Sequence, residues 1–115
     1  MAKLIFKIVA RSAWRQALED GRFDGAPIDI KDGFIHFSTA EQVAETASLH
    51  FAGQEDLLLV AIDGDELGDA LKYEPSRGGD LFPHLYSTLP LELVRWAHPM
   101  PLDSDGNHIL PDLDQ

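Results

Sequence analysis

The 115-residue sequence predicts one α+β domain, residues 1–115, around a mixed and largely antiparallel β-sheet. Two helical patterns come early in the chain, and most of the patterns typical of strands follow them. The run Leu57–Ile62 is apolar throughout and is bounded by acidic residues, which is typical of a central strand covered on both faces. A chain of this length can bury a hydrophobic core without disulfides or metals.

The first elements follow from short local signals. Lys3–Val9 is rich in residues that favour strands and is predicted as the first strand. Ser12 can cap a helix over Ala13–Asp20, whose apolar residues share one face. Residues 22–33 combine glycines and a proline with scattered charges. We expect them to form a loop, with a short extended piece at 28–30.

A second strand and a second helix are predicted next, over Phe34–Phe37 and Ala40–Phe51. The start of this helix is marked by two overlapping capping boxes, in which a hydroxyl residue precedes Glu or Gln by three positions. These pairs are Ser38 with Glu41 and Thr39 with Gln42. We therefore expect one of the two hydroxyls to cap the helix.

The second half of the chain is predicted to be mainly strands. After Leu57–Ile62, another strand is predicted at Ala70–Glu74, which Pro75 stops. The glycine pair within Ser76–Asp80 indicates a flexible segment whose backbone can approach a ligand closely. A last strand is predicted over Leu91–Ala97.

Composition and charge exclude several classes of partner. Residues 1–40 carry six basic and five acidic side chains, whereas residues 41–115 carry three basic and fifteen acidic ones, for a net charge of −11. Such a field repels a phosphate backbone, so we expect no nucleic-acid partner. No apolar run is long enough to span a bilayer. We expect a soluble, cytoplasmic protein without a membrane partner; the sequence leaves the oligomeric state undetermined.

Five histidines raise the question of a metal site, but their spacing argues against one. No two of them are separated by two or four positions, and there is no cysteine to complete a ligand set. The Gly-x-Ser-x-Gly, Walker A and Gly-x-Gly-x-x-Gly motifs are absent too. The sequence therefore predicts no metal site and no cofactor of certain identity.

Polar side chains in two segments form a candidate binding site. Imidazole and hydroxyl groups can hydrogen-bond a ribose diol, a guanidinium can bind a phosphate, and a tyrosine can stack on a flat base. The residues concerned are His36, Ser38, Thr39, Arg77, His84 and Tyr86. These are the requirements of a nucleotide-like ligand. The same residues could instead serve structure, with the imidazoles and the tyrosine closing the core.

The segments Asp32–Gln42 and Pro75–Tyr86, together with the first strand and Trp14, resemble the bacterial family known as domain of unknown function 952. Members of that family are similar in fold to ADP-ribosyltransferases, in which a split, bent sheet holds NAD in a central cleft. The resemblance covers nearly the whole chain. It implies an ADP-ribosyltransferase-like, bent and mostly antiparallel sheet with two helices near the N-terminus.

The resemblance also implies roles for individual residues. In ADP-ribosyltransferases a His-x-Ser/Thr on an early strand binds the nicotinamide ribose, which matches His36 and Ser38 here. The residue that stacks on the nicotinamide corresponds to Tyr73 or Tyr86. No glutamate stands in the Glu-x-Glu or Gln-x-Glu setting of the protein-modifying enzymes. Three residues are candidates for that position: Glu74, Glu92 and His84.

These observations lead to two hypotheses. In the first, a cleft binds an NAD- or ADP-ribose-like small molecule and supports ADP-ribosyl or related transfer, with NAD as a candidate substrate. His36 would then hold the ribose, Arg77 a phosphate, and His84 would act as acid or base. The alternative is a non-catalytic protein-interaction or regulatory module that retains the fold. A pocket where these three side chains meet favours the first hypothesis, and a closed core around His36 favours the second.

Overall fold

The computed structural model describes residues 3–113, apart from the side chain of Arg77. In this part of the chain nine short strands alternate with three α-helices and several 3₁₀ turns. The strands are β1 Leu4–Ala10, β2 Arg22–Phe23, β3 Ile35–His36, β4 Ser38–Thr39, β5 Leu57–Asp63, β6 Leu71–Pro75, β7 Leu81–Leu85, β8 Leu89–Pro90 and β9 Val94–Pro99. The helices are α1 Arg11–Asp20, α2 Pro27–Asp32 and α3 Val43–His50.

The strands form three antiparallel sheets. The largest has the order β4-β1-β5-β9, the second has the order β3-β7-β6, and β2 pairs with β8. The predicted α+β class with antiparallel pairing is therefore confirmed. Residues of the first two of these sheets line the cleft that forms the candidate site.

The four-stranded sheet is covered on both faces, because its central strand is apolar throughout. All seven residues of β5 are buried, as the uninterrupted run Leu57–Ile62 predicts. One face packs against α1 and the two smaller sheets, where Trp14 and Leu85 are buried. The other face packs against α3 and the C-terminal segment through Val43 and Met100. The molecule consequently has two hydrophobic cores, one on each side of this sheet.

The first helix begins earlier than its sequence signal. It starts at Arg11, and Ala10 occupies the N-cap position without a side-chain hydrogen bond, so the expected cap at Ser12 is wrong. Strand β1 runs directly into the helix, which leaves no residue for a separate cap. The end is as the sequence indicates: Gly21 adopts a left-handed conformation with φ of 80° and donates its N–H to the Ala17 carbonyl.

The predicted loop over residues 22–33 is wrong, because its centre folds as helix α2. Pro27 stands at the start of this helix, where its missing N–H removes no hydrogen bond. The Asp29 carboxylate accepts a hydrogen bond from the Ala26 N–H at 2.7 Å. Gly33 ends the helix in the left-handed region with φ of 88°. Proline before and glycine after a short segment thus mark a helix here, and no extended piece forms at 28–30.

Substitution of Gly33 is expected to show how much the end of α2 depends on backbone conformation. A Cβ at this position would meet nothing within 4 Å, so the cost arises from the positive φ alone. We expect Gly33→Ala to lower the free energy of unfolding by about 1 kcal/mol, measured by urea denaturation. Gly33→Asn is the matched control and should cost less, because asparagine tolerates this conformation better. Equal losses in both variants would contradict this explanation.

The third helix is shorter than predicted, and the expectation that one of the two hydroxyls caps it is wrong. It begins at Val43 rather than at residue 40 and ends at His50. Gln42 accepts a hydrogen bond from the Thr39 N–H at 3.0 Å through its side chain and donates to the Leu81 carbonyl at 2.8 Å. Gln42 itself is the N-cap residue and makes no side-chain capping hydrogen bond, so neither predicted capping box starts the helix. The Ser38 hydroxyl instead lies 3.0 Å from that of Thr46.

Candidate functional site

A cleft of about 530 Å³ opens beside the edge of β1. Strand β4 pairs only with Ile5 and Phe6, and the next two residues of β1 line the cleft. The other walls come from α2, α3 and the β3-β7 pair. The side chains that matter most here are Lys7, Ile28, His36, Ser38, Phe82 and His84. The volume of the cleft lies within the range of about 300–1,000 Å³ that is typical of small-molecule sites.

His36 is held by two carboxylates of α2. Its Nδ1 lies 2.6 Å from Asp29 Oδ1, and its Nε2 lies 3.0 Å from Asp32 Oδ2. The backbone N–H of His36 also donates to Asp29 Oδ1 at 3.2 Å. These contacts fix the ring at the mouth of the cleft, where its side chain is 33% exposed.

Asp29 is the centre of a buried polar network. Only 1% of this residue is exposed, and its Oδ2 lies 2.9 Å from the ammonium of Lys7, which is also buried. Burial by itself would raise the pKa of Asp29, but the hydrogen bond from His36 and the charge of Lys7 outweigh it and lower the pKa to about 2. Burial also lowers the pKa of Lys7, against the opposing effect of Asp29. The network joins α2 to β1 and β3.

His84 is held in a different way. It pairs with His36 across β3 and β7, and the two rings are 5.5 Å apart between centroids. Its Nδ1 lies 2.8 Å from Glu74 Oε1, which also accepts a hydrogen bond of 2.7 Å from the Tyr86 hydroxyl. Phe34 stacks on His84 with centroids 4.2 Å apart. The imidazole is therefore fixed by a carboxylate at one edge and by an aromatic ring on one face.

The Ser38 hydroxyl donates its hydrogen to a neighbouring residue and not into the cleft. The Thr46 hydroxyl donates to the Gln42 carbonyl at 3.1 Å, which uses its one hydrogen. Ser38 consequently donates to Thr46 across their 3.0 Å contact. Its lone pairs remain available, so this side chain can accept a hydrogen bond from a molecule in the cleft.

The cleft contains some of the predicted site residues and not others. His36, Ser38 and His84 line it, whereas Thr39, Tyr73 and Tyr86 are not part of its lining. The Tyr73 ring lies under the ammonium of Lys3 at 4.6 Å, and Tyr86 is an exposed partner of Glu74. The Arg77 side chain lies outside the described part of the structure, so its expected phosphate contact stays a prediction. Its neighbour Ser76 lines the cleft.

Sequence reasoning missed Lys7, Asp29 and Asp32. One signal was present: Lys7 alternates with Ile5 and Val9, which place it on a face of β1 that is otherwise apolar. A lysine on such a face requires a buried acidic partner. The identity of that partner could not be found from the sequence, because α2 was predicted as a loop.

Residues 8–97 match the family described as "Protein of unknown function (DUF952)". The chain belongs to the DUF952 family. The expected family membership is thereby confirmed, and the matched region includes both the α2–β3 segment and β7. No curated protein matches the chain.

Two solved structures of protein CC0527 from Caulobacter crescentus are similar to this DUF952 chain. The crystal structure shares 47% sequence identity with a TM-score of 0.90, and the comparison covers 93% of this chain and 94% of that one. The solution NMR structure shares 47% identity with a TM-score of 0.82, covering 90% of each chain. Within residues 3–113 of the present chain, no helix is long and apolar enough to cross a membrane. The family description and these neighbours name no ligand or reaction, so function must be inferred from the cleft.

Proposed function

We propose that this DUF952 protein binds an NAD- or ADP-ribose-like small molecule in the cleft lined by His36, Ser38 and His84. The observation that carries the proposal is the meeting of these three side chains in one concave site. A closed core around His36 would have favoured the non-catalytic alternative. The mixture of apolar walls with a few polar groups is typical of small-molecule sites.

The donors and acceptors of the cleft support a ligand that carries hydroxyl groups. Ser38 donates its hydrogen to Thr46, and His84 donates one to Glu74. Each side chain can therefore accept a hydrogen bond from a ligand. Phe82 and Ile28 supply apolar surface against which a flat ring can pack. A ribose linked to an aromatic base combines both kinds of contact in one molecule.

Transfer of an ADP-ribosyl or related group is the reaction that we associate with such a ligand. The ADP-ribosyltransferase-like fold implied by the sequence remains part of this proposal. Glu74, one of the sequence candidates for the orienting glutamate, contacts His84 rather than standing alone in the cleft. The proposed site therefore combines two of the three residues that the sequence offered for this position, Glu74 and His84.

Two matched variants of α2 test where the ligand binds. Ile28 and Ile30 are 53% and 67% exposed, so a larger side chain fits at either position without disturbing the core. Only Ile28 lines the cleft. We expect Ile28→Trp to obstruct the cleft and weaken binding by roughly tenfold or more, equivalent to about 1.4 kcal/mol. Ile30→Trp should bind as the unmodified protein does.

The measurement is isothermal titration calorimetry with NAD, ADP-ribose, AMP and nicotinamide as separate probes. Binding of at least one probe, lost in Ile28→Trp and kept in Ile30→Trp, supports the proposal. Absence of binding to all four probes contradicts the ligand class. Equal loss in both variants contradicts the cleft as the site. Either contradiction would favour the non-catalytic interaction module.

A further inference from the structure

We propose that His84, and not His36, presents the hydrogen-accepting nitrogen of the cleft, and that Glu74 is its positioning residue. The inference rests on the proposed function only in taking the cleft as the ligand site. It specifies what His84 contacts, which is an O–H donor: either a ribose hydroxyl of the ligand or a water molecule bound beside it. The two imidazoles lie side by side on β3 and β7, but their carboxylate partners make them chemically different.

The partners of Glu74 determine which nitrogen of His84 carries hydrogen. Hydrogen bonds from His84 and then from Tyr86 lower the pKa of Glu74 and keep it ionised. An ionised carboxylate only accepts hydrogen bonds, so the His84 Nδ1 at 2.8 Å must be the donor. In the neutral imidazole Nε2 then retains its lone pair. No residue in the described part of the chain bonds to this Nε2, and His84 lines the cleft.

The same reasoning gives the opposite result for His36. Both of its ring nitrogens lie within 3.0 Å of carboxylate oxygens, one from Asp29 and one from Asp32. Each contact requires a hydrogen on the ring, because a carboxylate has none to donate. With a carboxylate oxygen against each ring nitrogen, His36 has no nitrogen that is open to a ligand in the cleft. We therefore assign His36 the part of a hydrogen-bond donor to the carboxylates of α2 that helps to shape the cleft.

The arrangement permits a balanced proton transfer. A hydroxyl group that donates to His84 Nε2 can lose its proton there: the O–H bond breaks, an Nε2–H bond forms, and the electron pair stays on oxygen. The Glu74 carboxylate at Nδ1 stabilises the imidazolium that results. The oxygen becomes a stronger nucleophile, and the imidazolium can later return the proton to a leaving group.

Acylation by diethyl pyrocarbonate tests the assignment without any ligand, because this reagent attacks imidazole nitrogens that have a lone pair. The side chain of His36 is 33% exposed, whereas that of His84 is 7% exposed. Accessibility alone would make His36 the faster of the two. We expect the reverse order near neutral pH, measured by mass spectrometry of the peptides at successive times. Faster modification of His36 would overturn the proposal.

The role of Glu74 is tested by the tautomer of His84, observed by long-range proton–nitrogen correlation NMR. The unmodified protein should show hydrogen on Nδ1 only. Glu74→Ala should give a mixture of tautomers and slower acylation of His84, while Tyr86→Phe retains the carboxylate and should keep the single tautomer. Hydrogen on Nε2 in the unmodified protein, or no change in Glu74→Ala, would refute the assignment. Neither measurement uses the probes above, so a failure here is distinguishable from a failure of the ligand titrations.

Discussion

Replacing Asp29 with alanine is expected to lower the free energy of unfolding by about 3–5 kcal/mol. The substitution leaves the Lys7 ammonium buried and without its carboxylate, which is the principal cost. It also removes the acceptor for His36 Nδ1 and for the Ala26 N–H at the start of α2. Urea denaturation monitored by circular dichroism measures the loss.

Two further variants identify the cause of that loss. Asp24→Ala breaks an exposed ion pair with Arg22 and should cost less than about 1 kcal/mol. The double variant Lys7→Met with Asp29→Leu removes both buried charges and should recover part of the stability that Asp29→Ala loses. A loss in Asp29→Ala no larger than that in Asp24→Ala would show that the buried network is not important for stability.

The second large effect is a loss of stability in acid. The pKa of Asp29 falls from its ordinary value of 3.8 to about 2 in the folded protein. Because the carboxyl pKa is lower in the folded state, ionised Asp29 stabilises the fold at any pH above its pKa in the unfolded state. This contribution disappears as the pH falls through its pKa in the folded state. The shift corresponds to roughly 2 kcal/mol, present above about pH 4 and lost towards pH 2.

The acid effect can be followed in two independent ways. Chemical shifts of the Asp29 carboxyl carbon, recorded while the protein is still folded, should titrate well below the exposed aspartates. Unfolding free energies measured across the same pH range should fall more steeply in the unmodified protein than in Asp29→Asn, which lacks the titrating group. A normal titration of Asp29, or parallel pH profiles, would contradict the predicted linkage.

The Asp29 network also constrains how the cleft can be studied. His36→Ala removes a hydrogen-bond partner from a buried carboxylate, so it should lower stability as well as alter the cleft. Loss of binding in that variant would not separate a direct contact from a change in structure. Substitutions at the exposed α2 positions Ile28 and Ile30 avoid this problem, because neither side chain is part of the buried network.

Much of the fold could be predicted from the sequence, because its strongest signals act locally. The apolar run of β5 requires cover on both faces wherever it lies in the fold, and Gly21 ends α1 through its own backbone conformation. Helix α2 was missed although Pro27 and Gly33 mark its ends, because six residues give too little hydrophobic periodicity to distinguish a helix from a loop. The early start of α1 was missed since β1 enters it without a cap.

The sequence by itself also selected His36, Ser38 and His84 as candidate site residues, and the structure places all three on one cleft. Only the tertiary structure decided what each imidazole can do. The chemistry of a histidine nitrogen depends on the partner of the other nitrogen, and those partners, Asp29 and Glu74, come from different elements of the chain. No local sequence pattern encodes those pairings. His36 as a donor and His84 as an acceptor are therefore distinguished only by the fold.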